Sequence, residues 1–189
     1  KQAKKTIQIT EGVFIQLKDF ASQTYDEDTE KIGMLFDTSE GLRMFAEKIC
    51  PGPGEYVDLL PIENWIIENN LEGKVKSLLC FFHTHSKNHF KRYQEQSCPK
   101  KFAVSPSTSD LVDWYLKIEF GDIFYEFEEI LGIKLERYPI HLIIAEIREG
   151  DYIGAYRYFL LHDLPSDRYD FQDIDHVPNN SWAEPLWIE

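Results

Sequence analysis

The sequence predicts an α+β domain, a mixed β-sheet flanked by helices. Three observations carry that expectation. Val75–Phe82 (VKSLLCFF) is a nearly continuous apolar run of the kind found in a central strand. Glu11–Tyr25 places Val13, Phe14, Leu17, Phe20 and Ala21 at helical spacing, an amphipathic pattern. Ile140–Ile147 (IHLIIAEI) and Tyr152–Leu160 (YIGAYRYFL) read as two strands joined by a turn at Glu149-Gly150-Asp151.

The remaining elements follow in chain order. Thr6–Thr10 alternates Ile7 and Ile9 with polar residues, a short strand. After the polar stretch Asp26–Thr29, Ile32–Phe36 (IGMLF) reads as a buried strand, with Leu42–Ile49 as its hairpin partner. Pro51, Gly52, Pro53 and Gly54 then break the chain. Pro61 opens a helix expected to run to about Leu71, because proline is tolerated in a first helical turn. Lys87–Val104 has no clean period and reads as an insertion, whereas Ser109–Phe120 is helical and Ile123–Leu131 extends it or forms another helix. From Asp163 onward the chain is acidic, rich in proline and aromatics, and without period. The organisation expected is one domain over residues 1–162, with an insertion at 87–104 and a C-terminal tail at 163–189.

Bulk properties bound the function. A length of 189 residues suits one domain and is enough to bury a core without covalent staples. With 43% hydrophobic and 28% charged residues, the chain has the balance of a folding globular protein. No apolar run approaches the roughly 20 residues of a membrane span, so no membrane partner is expected. Lys1–Lys5 is polar and leads straight into an alternating segment, which does not read as a secretory signal. Cys50, Cys80 and Cys98 are odd in number, which suggests a reducing compartment and hence a cytoplasmic location. The net charge of −13 argues against general nucleic-acid binding. It is compatible with a basic protein partner, and it is equally the usual device for solubility.

Three features could carry chemistry, and each has a plain structural explanation when taken singly. His83-Thr84-His85 follows the apolar strand, where residues two apart share a face and two imidazoles could grip one metal ion. Histidines at a strand end are also ordinary surface residues. Ser107 and Asp110, in Ser105-Pro106-Ser107-Thr108-Ser109-Asp110, match a helix-start signature, so Ser107 could cap and Asp110 could complement the helix dipole. Glu30, just before Ile32, could be a solvated carboxylate. Together they make a coherent set. A catalytic zinc needs protein ligands and one open position for water, and His83, His85 and Asp110 supply three. Glu30 is then a candidate base for that water. Ser107 is a candidate donor to the oxyanion that forms when a carbonyl is attacked.

The pattern resembles the JAMM (MPN-domain) metallopeptidases, whose signature is a glutamate ahead of a glycine-containing strand, then His-x-His, then Ser-x-x-Asp. Here these parts are Glu30-Lys31-Ile32-Gly33-Met34-Leu35, His83-Thr84-His85 and Pro106-Ser107-Thr108-Ser109-Asp110-Leu111. The resemblance spans Ile7 to about Leu160. It implies a three-layer α+β fold similar to cytidine deaminases, with Zn2+ on His83, His85 and Asp110, Glu30 as general base and Ser107 stabilising the tetrahedral intermediate. It also implies cleavage of a peptide or isopeptide bond at the C-terminus of a ubiquitin-like protein or its conjugate. The compact size is similar to bacterial members that act beside ubiquitin-like conjugation enzymes, including those of antiphage (antiviral) defence operons.

The sequence departs from the family in two places. Ser86 stands where the family usually has proline. The segment between His85 and Ser107 is longer than usual and carries Lys87, Lys91, Arg92, Lys100 and Lys101 against one acid, Glu95. Such a loop can be a lid or substrate grip, and it can equally be a solvated surface loop. His89 and Cys98 within it are two ligands where a structural zinc needs four, so no second zinc is expected. Cys80 reads as core packing. In the tail, Trp182 and Trp187 among acids either dock on their own domain or form a strip for a basic partner. The alternative to an enzyme is a non-catalytic MPN scaffold that binds protein partners, although inactive relatives generally lack ligands that are all present here. A zinc deaminase is not expected, because no Pro-Cys-x-x-Cys follows a His-x-Glu.

Overall fold

The computed structural model describes residues 6–25, 27, 29–49, 59–86, 104, 106, 110, 122–136, 138–147, 150–160 and 181–188. Its elements are β1 (Thr6–Ile7), α1 (Glu11–Tyr25), β2 (Glu30–Thr38), β3 (Gly41–Ile49), α2 (Leu59–Glu68), β4 (Val75–His85), α3 (Asp122–Leu131), β5 (Ile140–Ile147), β6 (Gly150–Leu160) and β7 (Ser181–Ile188). The strands join in the order β1-β7-β6-β5-β4-β2-β3. The β4/β5 and β1/β7 pairs are parallel and the rest are antiparallel, so the sheet is mixed. This is the α+β class that the sequence predicts.

Helices cover both faces. On one, Val13, Leu17 and Ala21 of α1 pack on Leu35, Cys80, Phe82, Leu142, Ile144 and Ala155. These helical positions repeat at intervals of four, as an amphipathic stripe requires. Thr10 caps α1: its Oγ1 accepts from the Val13 N–H at 3.4 Å, and its carbonyl accepts from Phe14 N at 3.0 Å. On the opposite face, Ile62 and Ile66 of α2 and Phe127 and Leu131 of α3 pack on Ile32, Met34, Phe36, Phe45 and Val75. Trp65 joins that core, stacked on Phe36 at 5.8 Å and edge-on to Phe45 at 5.6 Å.

Helix α2 begins with Pro61 in its first turn, as expected, but ends at Glu68 rather than near Leu71. Asn70 takes a left-handed φ of 54°, and the N–H groups of Asn70 and Leu71 reach back to the carbonyls of Ile67 and Ile66 at 3.1 and 2.9 Å. This double closure stops the helix and swings Leu71 into the core beside Ile66. The turn before β6 also falls earlier than Glu149-Gly150-Asp151 suggests, because Gly150 already pairs with Ile147.

The C-terminal stretch contains an element that the sequence pattern does not reveal. Ser181–Ile188 forms β7, which pairs antiparallel with β6, and its last residues pair parallel with β1 (Thr6↔Trp187, Ile7↔Ile188). Leu186 and Ile188 reach the α1-side core. Pro185 obscures the strand in the sequence, since proline disrupts a two-sided ladder. Here the described β1 pairing begins only at Trp187, so Pro185 needs no ladder bond on that side. The insertion at 87–103, with His89 and Cys98, lies outside the described residues, as do Cys50, the residues 111–121 of the expected helix and the tail residues 161–180.

Gly33 has a specific reason to be glycine. A Cβ there would collide with the Phe45 carbonyl and the ring of Phe82, which pairs opposite Gly33 and stacks on Phe20 at 6.0 Å. Gly33→Ala is therefore expected to destabilise the fold by about 1–3 kcal/mol through overpacking. A urea midpoint equal to that of the wild type would refute this. Cys80 is fully buried in the α1-side core, as the sequence suggests, and burial pushes its thiol up to about 12. The thiol is then neutral and shielded at neutral pH. An alkylating reagent should modify Cys80 only after denaturant is added; peptide mass spectrometry that finds it labelled in the native protein would contradict this placement.

Candidate metal centre

The centre forms at the carboxyl end of β4. This strand lies between β2 and β5, with Ile32↔His83 on one side and His83↔Ile143 and His85↔Ala145 on the other. Strand parity sends Phe82 and Thr84 toward α1, and Phe81, His83 and His85 to the face that bears α2 and α3. Both histidines thus lie inside the strand rather than after it. Ser86 follows them and is buried.

Asp110 reaches the histidines from a distant part of the chain. Val104, shortly before it, is buried against Ile143 and Ala145, the two β5 residues that pair with His83 and His85. Gly154 on β6 makes room for that approach, since a Cβ there would come within 2.5 Å of the Val104 carbonyl oxygen. Val104 therefore lies over the end of β5, and Asp110, which is helical, comes to the two imidazoles.

Three donor atoms converge. His83 Nε2 and His85 Nε2 are 3.0 Å apart, and Asp110 Oδ2 lies 3.4 Å from the first and 3.8 Å from the second. Tetrahedral zinc with bonds of about 2.0–2.1 Å would hold its donors about 3.3 Å apart. The observed spacings bracket that value. His83, His85 and Asp110 could therefore hold a metal ion. Two imidazole nitrogens and a carboxylate oxygen suit zinc chemically, and three donors leave room for a further ligand. His85 is 2% exposed, whereas His83 and Asp110 retain 16% and 23%.

The electrostatics fit the same set. Burial by itself would raise the Asp110 carboxyl. Attraction and hydrogen bonding from His83, and then from His85, outweigh it and hold the group well below the ordinary carboxylate range. This attraction is that of protonated imidazoles, so it describes the metal-free cluster, in which Asp110 is ionised.

The other two expected residues stand differently. Glu30 is the first residue of β2, half-buried, and pairs with Ile49 on β3. By strand parity it shares a face with Ile32, whose partner His83 is the last pair of the β2/β4 ladder. Ser107 lies outside the described residues. One contributor was missed by sequence reading: Thr84, whose hydroxyl faces α1 and bonds to two other elements. Its alternation between the histidines was visible, but its partners were not. No family model matches the chain, and no curated protein matches it.

The geometry generates a direct test. The wild-type protein should bind zinc, and His83→Ala and Asp110→Ala should each weaken binding by more than the roughly 10–100-fold that losing an outer-sphere partner costs. Chelator competition followed by elemental analysis measures this. Full zinc occupancy in both variants would remove the ligand assignment.

Proposed function

We propose that this chain is a zinc-dependent peptidase of the JAMM type, hydrolysing a peptide or isopeptide bond at the C-terminus of a ubiquitin-like protein or its conjugate. The observation that carries the proposal is the convergence of His83, His85 and Asp110 at zinc-like donor spacing, with Glu30 at the matching end of the neighbouring strand. The order Glu30, His-x-His and Ser-x-x-Asp along the chain supports the family and, through it, the substrate class. A binding-only scaffold would have no need to keep Glu30, both histidines, Ser107 and Asp110 together in one sequence.

Each residue has a role in this reading. His83 and His85 offer Nε2 lone pairs, which places the remaining ring proton of each on Nδ1. Asp110 adds one negative charge, so the ligand set only partly neutralises a dication. Bound zinc supplies Lewis acidity that lowers the pKa of water toward about 7. The Glu30 carboxylate takes up the proton released as water attacks, and returns it to the departing amine. Ser107, three residues before Asp110 in the sequence, is the proposed donor to the developing oxyanion. An extended substrate tail would be held by main-chain pairing beside a strand edge, the least side-chain-dependent way to recognise such a peptide.

Glu30→Gln separates chemistry from metal binding, because it keeps the shape and removes the proton acceptor. Its zinc content should equal that of the wild type, while cleavage of a ubiquitin-like protein fused through its C-terminus to a reporter falls by about 100-fold or more. Substantial residual turnover would refute the role of Glu30. A zinc-loaded wild type that cleaves no such fusion would favour the scaffold.

A further inference from the structure

The pairing of β2 with β4 runs as far as Ile32↔His83, immediately before the centre. Beyond it, the Lys31 N–H donates to Thr84 Oγ1 at 2.9 Å. A side chain thus takes over at the point where the two strands carry Glu30 and His85. Thr84 Oγ1 also lies 2.9 Å from Thr24 Oγ1, and Thr24 Oγ1, in the last turn of α1, lies 3.0 Å from the Phe20 carbonyl. Thr24 and Thr84 are both fully buried.

The proton order in this chain can be deduced. The Phe20 carbonyl, and the Ala21 carbonyl 3.3 Å away, can only accept, so the Thr24 hydroxyl donates on that side. The Thr24 oxygen is then free to accept, and the Thr84 hydroxyl donates to it. The Thr84 oxygen accepts from Lys31 N–H. One unbroken sequence, Lys31 N–H to Thr84 to Thr24 to the Phe20 carbonyl, satisfies every group. Reversing the link between the threonines would leave the buried Thr84 proton without an acceptor, which is costly in this setting.

We infer that Thr84 is a positioning residue of the centre, setting the distance between the Glu30 end of β2 and the two histidines through its bond to Lys31 and its anchorage on Thr24. The inference rests on the hydrolase reading for its kinetic consequence, but not for the contact itself. Thr84 lies between both imidazoles in sequence, and Lys31 follows Glu30 directly. Loss of the hydroxyl removes the tie on the β4 side and leaves this backbone to its β3 pairing (Glu30↔Ile49, Lys31↔Lys48), while the ligands on β4 and Asp110 stay in place. A displacement of about 1 Å at a reacting group can cost about 100-fold in rate.

The test compares Thr84→Val, which keeps the shape and loses the hydroxyl, with Thr84→Ser, which keeps the hydroxyl. In the full chain, Thr84→Val should speed amide exchange at Lys31 roughly tenfold. It should leave zinc affinity unchanged and lower kcat by about 10–100-fold without raising KM. Thr84→Ser should restore both exchange and kcat. If Thr84→Val fails to fold, Thr24→Val, which removes the anchor and keeps the Lys31–Thr84 bond, should change Lys31 exchange and kcat in the same directions by smaller factors. A purely structural role would lower the melting temperature and leave kcat of the folded protein intact, and that result overturns the inference. Unchanged Lys31 protection in Thr84→Val also overturns it, as does failure of Thr84→Ser to restore function. If the wild type binds zinc but hydrolyses nothing, the hydrolase reading fails separately. Zinc-site geometry in cobalt-substituted protein and Lys31 exchange then decide whether Thr84 holds β2 to an intact centre.

Discussion

Everything at this centre depends on the register of β4 between its two neighbours. A strand alternates its faces with a period of two, so a slip of one residue would exchange all of its contacts. At the end of β4, Cys80, Phe82 and Thr84 face α1, while Phe81, His83 and His85 face the other side. A slip would drive imidazoles into the apolar layer under α1 and take Phe82 out of it. The pairing Leu35↔Cys80, Gly33↔Phe82 and Ile32↔His83 prevents it, because Phe82 fills the space over Gly33 and stacks on Phe20. The metal donors are thus aimed by the hydrophobic packing of the residues between them.

Such packing explains how a polar cluster can sit at the end of an apolar strand. A buried imidazole and carboxylate are costly unless each finds a partner. His85, at 2% exposure, has His83 and Asp110 within reach, and the three groups satisfy one another's polarity in a small space. The opposite face solves the same problem with hydroxyls, where Thr84, Thr24 and a backbone N–H form a closed set. The end of β4 is therefore polar on both sides, with the imidazole Nε2 atoms and Asp110 grouped on one and the two threonine hydroxyls on the other.

Two glycines set how closely other backbones approach this strand region. Gly33 lets Phe82 lie flat over β2, and Gly154 lets the Val104 carbonyl lie over β6. The second approach matters for chemistry, since Val104 leads toward Asp110 and packs on the β5 residues beside both histidines. Among the described helices, none is long and apolar enough to cross a membrane.

The sequence by itself determined the local elements and the candidate ligands. The apolar stripe of α1, the runs of β2, β4 and β5, and the order of Glu30, His83, His85 and Asp110 are all local patterns of period or residue type. The site's convergence was legible only as a resemblance, because nothing in a one-dimensional spacing brings Asp110 to His85. Which face of β4 the histidines occupy was not legible either. Val75, Leu78 and Phe81 all pack on the same face, and even and odd positions can share it only because the register shifts opposite Leu35/Phe36 and Asp37/Thr38. An apolar run such as VKSLLCFF gives no alternation from which to read such bulges. Strand β7 and the Thr24–Thr84–Lys31 chain depend on partners from distant segments, so only tertiary packing, which supplies those partners, could decide them.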